Sequence, residues 1–308
     1  MLIKPKSEIR KDYFLDKYVV ITPGRAKRPR DVRESSIVHK DVRCGLCPEG
    51  IEKNLIIDTV GGKKNWEVMV LKNKYPAVTL NNPKAFGVQE VIVETPNHGV
   101  EMHEFSLAQL EKVLHSYRSR MAILSKNKKL DYILVFKNSG SKAGASLAHS
   151  HSQVFATRIL PPLLINEMSE AEKYKSEHGS CPYCDIIKKE AKSKRKVYED
   201  AQILVFTPYA SEYHYELWFT TKRHVDNMTE LNQEEIKSLA YALKRALIKL
   251  HLLGIPYNFF TQQAISEPKQ HFYLKLQPRD SVWAGVEISS GLIINSVPPE
   301  EAAKFYKK

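Results

Sequence analysis

The chain repeats itself, and the repeat limits the folds open to it more than any other feature. Two Cys-x-x-Cys pairs, Cys44/Cys47 and Cys181/Cys184, each open a segment with the same order of motifs. After the first pair come Trp66-Glu-Val-Met-Val-Leu, Glu90-Val-Ile-Val-Glu-Thr-Pro-Asn-His98, a helical stripe, and Tyr132-Ile-Leu-Val-Phe leading to His149. After the second come Ala201-Gln-Ile-Leu-Val-Phe, Glu216-Leu-Trp-Phe-Thr-Thr-Lys-Arg-His224, a helical stripe, and Tyr257-Asn-Phe-Phe leading to His271. Self-similarity on this scale points to one supersecondary design used twice. The stripes place apolar residues at helical spacing, Leu107 to Met121 in one and Ile236 to Leu250 in the other, and read as core. Ser106-x-x-Gln109 and Asn232-x-x-Glu235 mark their starts, and Gly254 marks the end of the second.

Aligned this way, each half supplies two cysteines and two histidines. Cys44, Cys47, His98 and His149 form one set, and Cys181, Cys184, His224 and His271 the other. Cys₂His₂ is the ligand set of a closed four-coordinate structural zinc site, so two zinc ions per chain are expected. A thioredoxin-like redox pair is the competing explanation for Cys-x-x-Cys. It gives no reason for a histidine at the same place in both halves.

The halves differ where chemistry would lie. Before His149 runs Asn138-Ser-Gly-Ser-Lys-Ala-Gly-Ala-Ser-Leu-Ala, and after it Ser-His151-Ser-Gln153. If His149 to Ala156 is a strand, His149, His151 and Gln153 share one face. Small residues let backbone N–H groups approach an anion, and a neutral imidazole beside them is a usable nucleophile or base. In the second half Tyr273 stands opposite His151 and Lys275 opposite Gln153, and the segment before His271 lacks the small-residue loop. The first half is therefore expected to be catalytic and the second to support structure and substrate positioning.

Composition bounds the rest. The 308 residues carry 47 basic and 35 acidic side chains, a net charge of +12 that favours anionic ligands without choosing between nucleotide and nucleic acid. The densest basic run, Lys188 to Lys196, has no interleaved aromatics for base stacking and reads as a solvated helix face or loop. No apolar run reaches the length of a membrane span, and the first residues lack a signal-peptide core. A cytoplasmic location, with no membrane or nucleic-acid partner, is expected.

With these motifs in place, Gly144-Ala-Ser-Leu-Ala-His-Ser-His-Ser-Gln153 resembles the active-site signature of the galactose-1-phosphate uridylyltransferase branch of the histidine-triad superfamily. Glu8-Ile-Arg-Lys-Asp, Tyr18-Val-Val-Ile-Thr-Pro-Gly-Arg25-Ala-Lys-Arg28-Pro, Cys44-Gly-Leu-Cys47-Pro and Asn73 agree with it. The segment from Gly285 resembles the shorter members and the related ADP-glucose phosphorylases. The resemblance implies an α+β fold of two tandem histidine-triad-like halves, each an antiparallel sheet with packed helices, divided as 1–165 and 166–308. It implies ping-pong nucleotidyl transfer in which His151 attacks the α-phosphorus of a nucleotide sugar, expelling a sugar 1-phosphate, and a second phosphorylated acceptor takes the nucleotide.

In that reading Gln153, Ser146 and loop N–H groups from Gly140 through Gly144 to Ser146 bind phosphoryl oxygens, and Asn138 braces the loop. Arg25, Arg28 and Asn73 lie near the nucleotide, Glu287 near the sugar, and the base wall falls around Leu71 to Tyr75 and the segment after Cys47. His149 fixes the strand that carries the nucleophile. The activity expected is UMP transfer between UDP-glucose and a hexose 1-phosphate such as galactose 1-phosphate. An ADP-glucose phosphorylase or dinucleoside polyphosphate adenylyltransferase is the alternative, and a non-catalytic zinc protein that binds nucleic acid is the alternative of another class. A homodimer is possible by resemblance. Two positions depart from the enteric-type pattern: serines stand at 150 and 152 around His151, and Ser281 stands where those longer enzymes place a lysine.

Overall fold

A computed structural model describes residues 7–27, 44–265 and 270–308. Thirteen strands and six α-helices are defined among them. The strands are β1 (Glu8–Lys11), β2 (Tyr18–Ile21), β3 (Ile56–Val60), β4 (Val68–Lys72), β5 (Gly87–Val93), β6 (Tyr132–Ser139), β7 (His151–Thr157), β8 (Lys196–Glu199), β9 (Ile203–Phe206), β10 (Leu217–Thr221), β11 (Tyr257–Gln262), β12 (Tyr273–Pro278) and β13 (Ile293–Asn295). The helices are α1 (Leu107–Leu124), α2 (Pro162–His178), α3 (Pro182–Glu190), α4 (Gln233–Leu252), α5 (Gly285–Ser290) and α6 (Pro299–Lys307).

The expected α+β architecture of two antiparallel, helix-packed halves is present. Ten strands form one sheet in the order β3-β4-β5-β7-β6-β11-β12-β10-β9-β8. The order reads the same from both ends once β3 to β7 are matched with β8 to β12, so the sequence repeat becomes a pseudo-twofold sheet. Its centre is the antiparallel pairing of β6 with β11, where Asn138 lies opposite Asn258 and Phe136 opposite Phe260.

Strand alternation sorts the two faces. One face sends Ile92, Ile133, Val135, Val154, Val205, Phe219 and Leu274 into a core completed by α1 and α4, which pack on each other. Both helices begin at the expected caps. Ser106 accepts from the Gln109 N–H, and Asn232 and Glu235 form a reciprocal capping box.

The opposite face is treated differently in the two halves. In the second, α2 and α3 cover it, packing Ala171, Tyr183, Ile186 and Ile187 on Leu204, Phe206, Trp218 and Tyr273. In the first, among the described residues, a small cluster of Leu46, Trp66, Met69, Leu71 and Val93 occupies it, and β7 presents His151 and Gln153 beside that cluster.

A second sheet, β1-β2-β13, joins the two ends of the chain. The division at 165/166 remains a proposal from the repeat, and packing crosses it. Arg10 forms a bidentate pair with Glu300 and donates to the Tyr209 carbonyl, all through residues 7–22 leaning on the second half. No helix among the described residues is long and apolar enough to cross a membrane.

Candidate active site and metal centres

Each Cys-x-x-Cys pair sits on a turn that aims both sulfurs one way. The Cys47 N–H donates to the Cys44 carbonyl at 3.2 Å, and Cys181 precedes α3 with Pro182 in its first turn. The histidines arrive from the sheet. His98 follows β5 and His149 precedes β7, while His224 follows β10 and His271 precedes β12. Cys44, Cys47, His98 and His149 converge, as do Cys181, Cys184, His224 and His271, with the four donor atoms of each set within 4.8 Å of one another.

Cys47 Sγ lies 3.4 Å from His98 Nδ1 and 3.6 Å from His149 Nδ1. Cys184 Sγ lies 3.3 Å from His224 Nδ1 and 3.6 Å from His271 Nδ1. The far nitrogens are also matched. His149 Nε2–H donates to the Thr95 carbonyl at 2.8 Å, and His271 Nε2–H to the Thr221 carbonyl at 2.9 Å. That bond fixes the tautomer with Nδ1 unprotonated and turned to the sulfurs, as a metal ligand requires. Burial holds the His149 imidazole below its ordinary pKa, which favours the same neutral form.

The expected strand from His149 begins two residues later, at His151. The ladder starts with His151 opposite Val93, while the preceding His149 is committed to the cysteines and Thr95. Alternation is nevertheless kept. His151 and Gln153 face the open side, and Ser150 and Ser152 face α1.

His151 Nδ1–H donates 2.8 Å to the carbonyl of His149. The proton is thereby held on Nδ1, and Nε2 keeps its lone pair. Gln153 Oε1 accepts from Gln89 Nε2 at 3.0 Å and from Asn73 Nδ2 at 3.4 Å, which brings Asn73 beside Gln153.

The loop before His149 turns at Gly140 and Gly144, both with positive φ (85° and 84°). At Gly140 a Cβ would come within 2.8 Å of Pro256, so glycine is required there on two grounds. Ser146 lies exposed on this loop. Asn138, expected to brace this loop, is linked to it through a partner. Asn258 Nδ2, from the second half, donates to both Asn138 Oδ1 and the Ala143 carbonyl at 2.8 Å.

Arg25 and Glu287 meet around a cavity of about 480 Å³ that Lys142 of the same loop also lines. Its wall includes His214, whose Nδ1–H donates to Asp280 at 2.8 Å and whose Nε2 accepts from the Ser296 hydroxyl at 2.9 Å. Sequence reading passed over His214, Asp280 and Ser296, because 66 residues separate the first two and no local motif links them. Ser281, the departure noted above, lines this cavity too. Arg28 lies outside the described residues.

Among the described residues the second half shows no equivalent open site. Tyr273, opposite His151 in the repeat, is fully buried, and its hydroxyl and that of Tyr183 donate to Glu167 of α2. Lys275, opposite Gln153, lies against the Trp218 ring. The basic run ends less exposed than expected. Its lysines at 188, 189, 192 and 194 are exposed, but Arg195 is paired with buried Glu190 and with Glu300.

Comparison with known proteins places the chain in a family. Residues 3–161 match the family model described as galactose-1-phosphate uridyl transferase, N-terminal domain. ADP-glucose phosphorylase of Arabidopsis thaliana is 30% identical over 98% of this chain and 92% of its own length. Galactose-1-phosphate uridylyltransferase of Thermotoga maritima is 29% identical over 96% of each. The crystal structure of the Arabidopsis enzyme with bound ADP-glucose superposes with a TM-score of 0.87 at 28% identity, covering 98% of this chain and 99% of that one.

Proposed function

Because the chain belongs to the galactose-1-phosphate uridyl transferase family, we propose that His151 carries a nucleotidyl group between two phosphorylated substrates, and that the group is UMP, moved between UDP-glucose and a hexose 1-phosphate. The coarse activity, nucleotidyl transfer, is common to the named relatives. One observation carries the role given to His151: the His149 carbonyl holds its proton on Nδ1, which leaves Nε2 as the nucleophilic atom.

The Nε2 lone pair attacks the α-phosphorus. A P–N bond forms, and the bond from phosphorus to the bridging oxygen breaks, its electron pair leaving with the sugar 1-phosphate. Nδ1 keeps its proton throughout, so the adduct is a cationic phosphoryl-imidazole stabilised by the His149 carbonyl and primed to leave. A phosphate oxygen of the acceptor then attacks the same phosphorus, and the P–N electrons return to Nε2. With Oε1 of Gln153 taken by Gln89 and Asn73, its Nε2–H₂ is the end offered to the phosphoryl oxygens, together with Ser146 and loop N–H groups other than those of Ala143, Gly144 and Ala145, which bond within the loop. Arg25, Arg28 and Glu287 are assigned to the nucleotide and sugar ends.

Both Cys₂His₂ sets are assigned to zinc. Zn–S and Zn–N bonds of about 2.3 and 2.0 Å at tetrahedral angles give an S···N edge of about 3.5 Å. The observed S···N separations of 3.3 to 3.8 Å match it. The metal's part is structural: residues 44, 47, 98 and 149 would hold it, and His149 would transmit that anchorage to the strand.

A second reading has its own support. The likeness to an ADP-glucose phosphorylase over nearly the whole chain favours AMP as the transferred group and inorganic phosphate as acceptor. The two readings share every step at His151. The test is chemical rescue: His151→Gly should lack transfer and recover part of it with added imidazole. Transfer by His151→Gly at the wild-type rate without imidazole would sink the covalent mechanism.

A further inference from the structure

Beneath His151, on the face of the sheet turned to α1, lies an ion pair closed off from solvent. Lys137 Nζ is 2.7 Å from Glu94 Oε2, and the two side chains are 1% and 0% exposed. Such a pair contributes little net stability, because desolvation offsets its attraction. Its other bonds show what it holds.

Lys137 Nζ also donates to Ser150 Oγ at 3.0 Å and to the backbone carbonyl of His151 at 3.2 Å. Glu94 accepts from Ser150 Oγ at 2.6 Å, from Tyr117 OH at 2.8 Å, and from Ser152 Oγ. The Glu94 N–H donates to the Ser150 carbonyl at 3.2 Å. Alternation sends the side chains at 150 and 152 to this face and those at 151 and 153 to the other. The peptide units on both sides of His151 are therefore tied to one buried pair. A prolyl side chain at 150 or 152 could not make these bonds, which gives the serines a physical purpose.

We propose that the Glu94–Lys137 pair is a positioning device for His151, acting through Ser150, Ser152 and the His151 carbonyl to aim Nε2 at the phosphorus. The proposal rests on the reading of His151 as nucleophile. Its grip is separate from that of the metal set: the cysteines and His98 fix the chain before His151, and the ion pair fixes it from below. In-line attack tolerates little error, and a misplacement of about 1 Å costs on the order of 10²-fold in rate.

The test uses Ser150→Ala with Ser152→Ala, which cuts the hydroxyl links and leaves the ion pair and its bond to the His151 carbonyl. Single-turnover formation of the nucleotidyl adduct, KM for the nucleotide sugar, and zinc content are measured. Expected are two retained metal equivalents, KM within about twofold, and adduct formation slower by roughly 10 to 100-fold. Ser150→Thr, which keeps a hydroxyl, should retain more of the rate than Ser150→Ala. Lys137→Met with Glu94→Gln, which removes both charges together, should show the same split, and Ser150→Ala alone serves if the double serine variant does not fold.

An unchanged rate of adduct formation, weaker half-saturation of the single-turnover reaction by the nucleotide sugar at an unchanged saturated rate, or loss of metal in step with the rate would each overturn the proposal. His151→Ala run in parallel separates the two claims. An adduct persisting in His151→Ala defeats the nucleophile reading, whereas an adduct absent there but formed at full rate in the serine variant defeats only the positioning role.

Discussion

The Nδ1–H of His151 points at the carbonyl oxygen of His149, 2.8 Å away and two residues earlier, while the His149 ring is turned to Cys44 and Cys47. One residue thus faces the cysteines with its side chain and fixes the tautomer of the next histidine with its backbone. The Cys₂His₂ set and the His151 ring are coupled through a single peptide unit.

Zinc loss should be local and unequal in effect. Cys47→Ser or His149→Ala should reduce two zinc equivalents to one and destabilise the fold, since metal binding and folding are linked. Activity should fall with them. Cys184→Ser should also remove one equivalent, but with a smaller loss of activity, because His271 leads into a strand that carries Tyr273 in place of a nucleophile. Elemental analysis of each purified variant checks this, and fewer than one zinc in the wild type would contradict it.

Asn258→Ala should weaken transfer without touching metal content. Its amide holds Asn138 and the Ala143 carbonyl across the central strand pair, so removing it releases the phosphate loop. A loss in kcat/KM of about tenfold is expected, the scale of one neutral hydrogen bond of about 1.4 kcal/mol. Steady-state kinetics with unchanged values would show that the loop is held by other contacts.

Tyr273→Phe should cost stability and leave chemistry alone. The hydroxyl it removes serves Glu167, which retains Tyr183 and Gln262 as donors, so about 1 kcal/mol is expected from denaturant titration. A loss of activity comparable with that of His151→Ala would mean that the second half takes part in catalysis.

Acid should strip stability through Glu94. Burial alone would raise its carboxyl pKa, but Lys137 and the hydroxyls of Ser150 and Ser152 hold it below the ordinary 4.5. A carboxylate depressed in the folded state stabilises fully above its unfolded value, and the contribution fades as pH falls from there through the folded value. Denaturation midpoints of the wild type should therefore drop more steeply below about pH 4.5 than those of Glu94→Gln with Lys137→Met. The metal sites titrate in both proteins and cancel, so parallel acid limbs would contradict the assignment.

Much of this was legible in the sequence because the repeat exposes equivalent positions. Both Cys₂His₂ sets, the caps at Ser106 and Asn232, and the contrast between His151 and Tyr273 follow from aligning the halves. The rest depends on tertiary partners. Lys137 lies within β6 and Glu94 just past β5, and nothing local says that the two charges meet at 2.7 Å. Asn258 has no counterpart in the repeat alignment, since Ile133 stands at its place beside Tyr132. The pairing of β2 with β13 joins segments more than 270 residues apart, with register Val19 opposite Ile293, and no periodicity reports such a contact.

The most direct test of the account is intact mass after incubation with UDP-glucose and, separately, ADP-glucose, followed by peptide mapping and a chase with galactose 1-phosphate or inorganic phosphate. The expected result is a UMP adduct on His151, absent from His151→Ala and discharged by galactose 1-phosphate. AMP on His151 discharged by phosphate would keep the mechanism and exchange the substrates. Turnover of either nucleotide sugar with no covalent species, or with the nucleotide on a residue other than His151, would contradict the central claim.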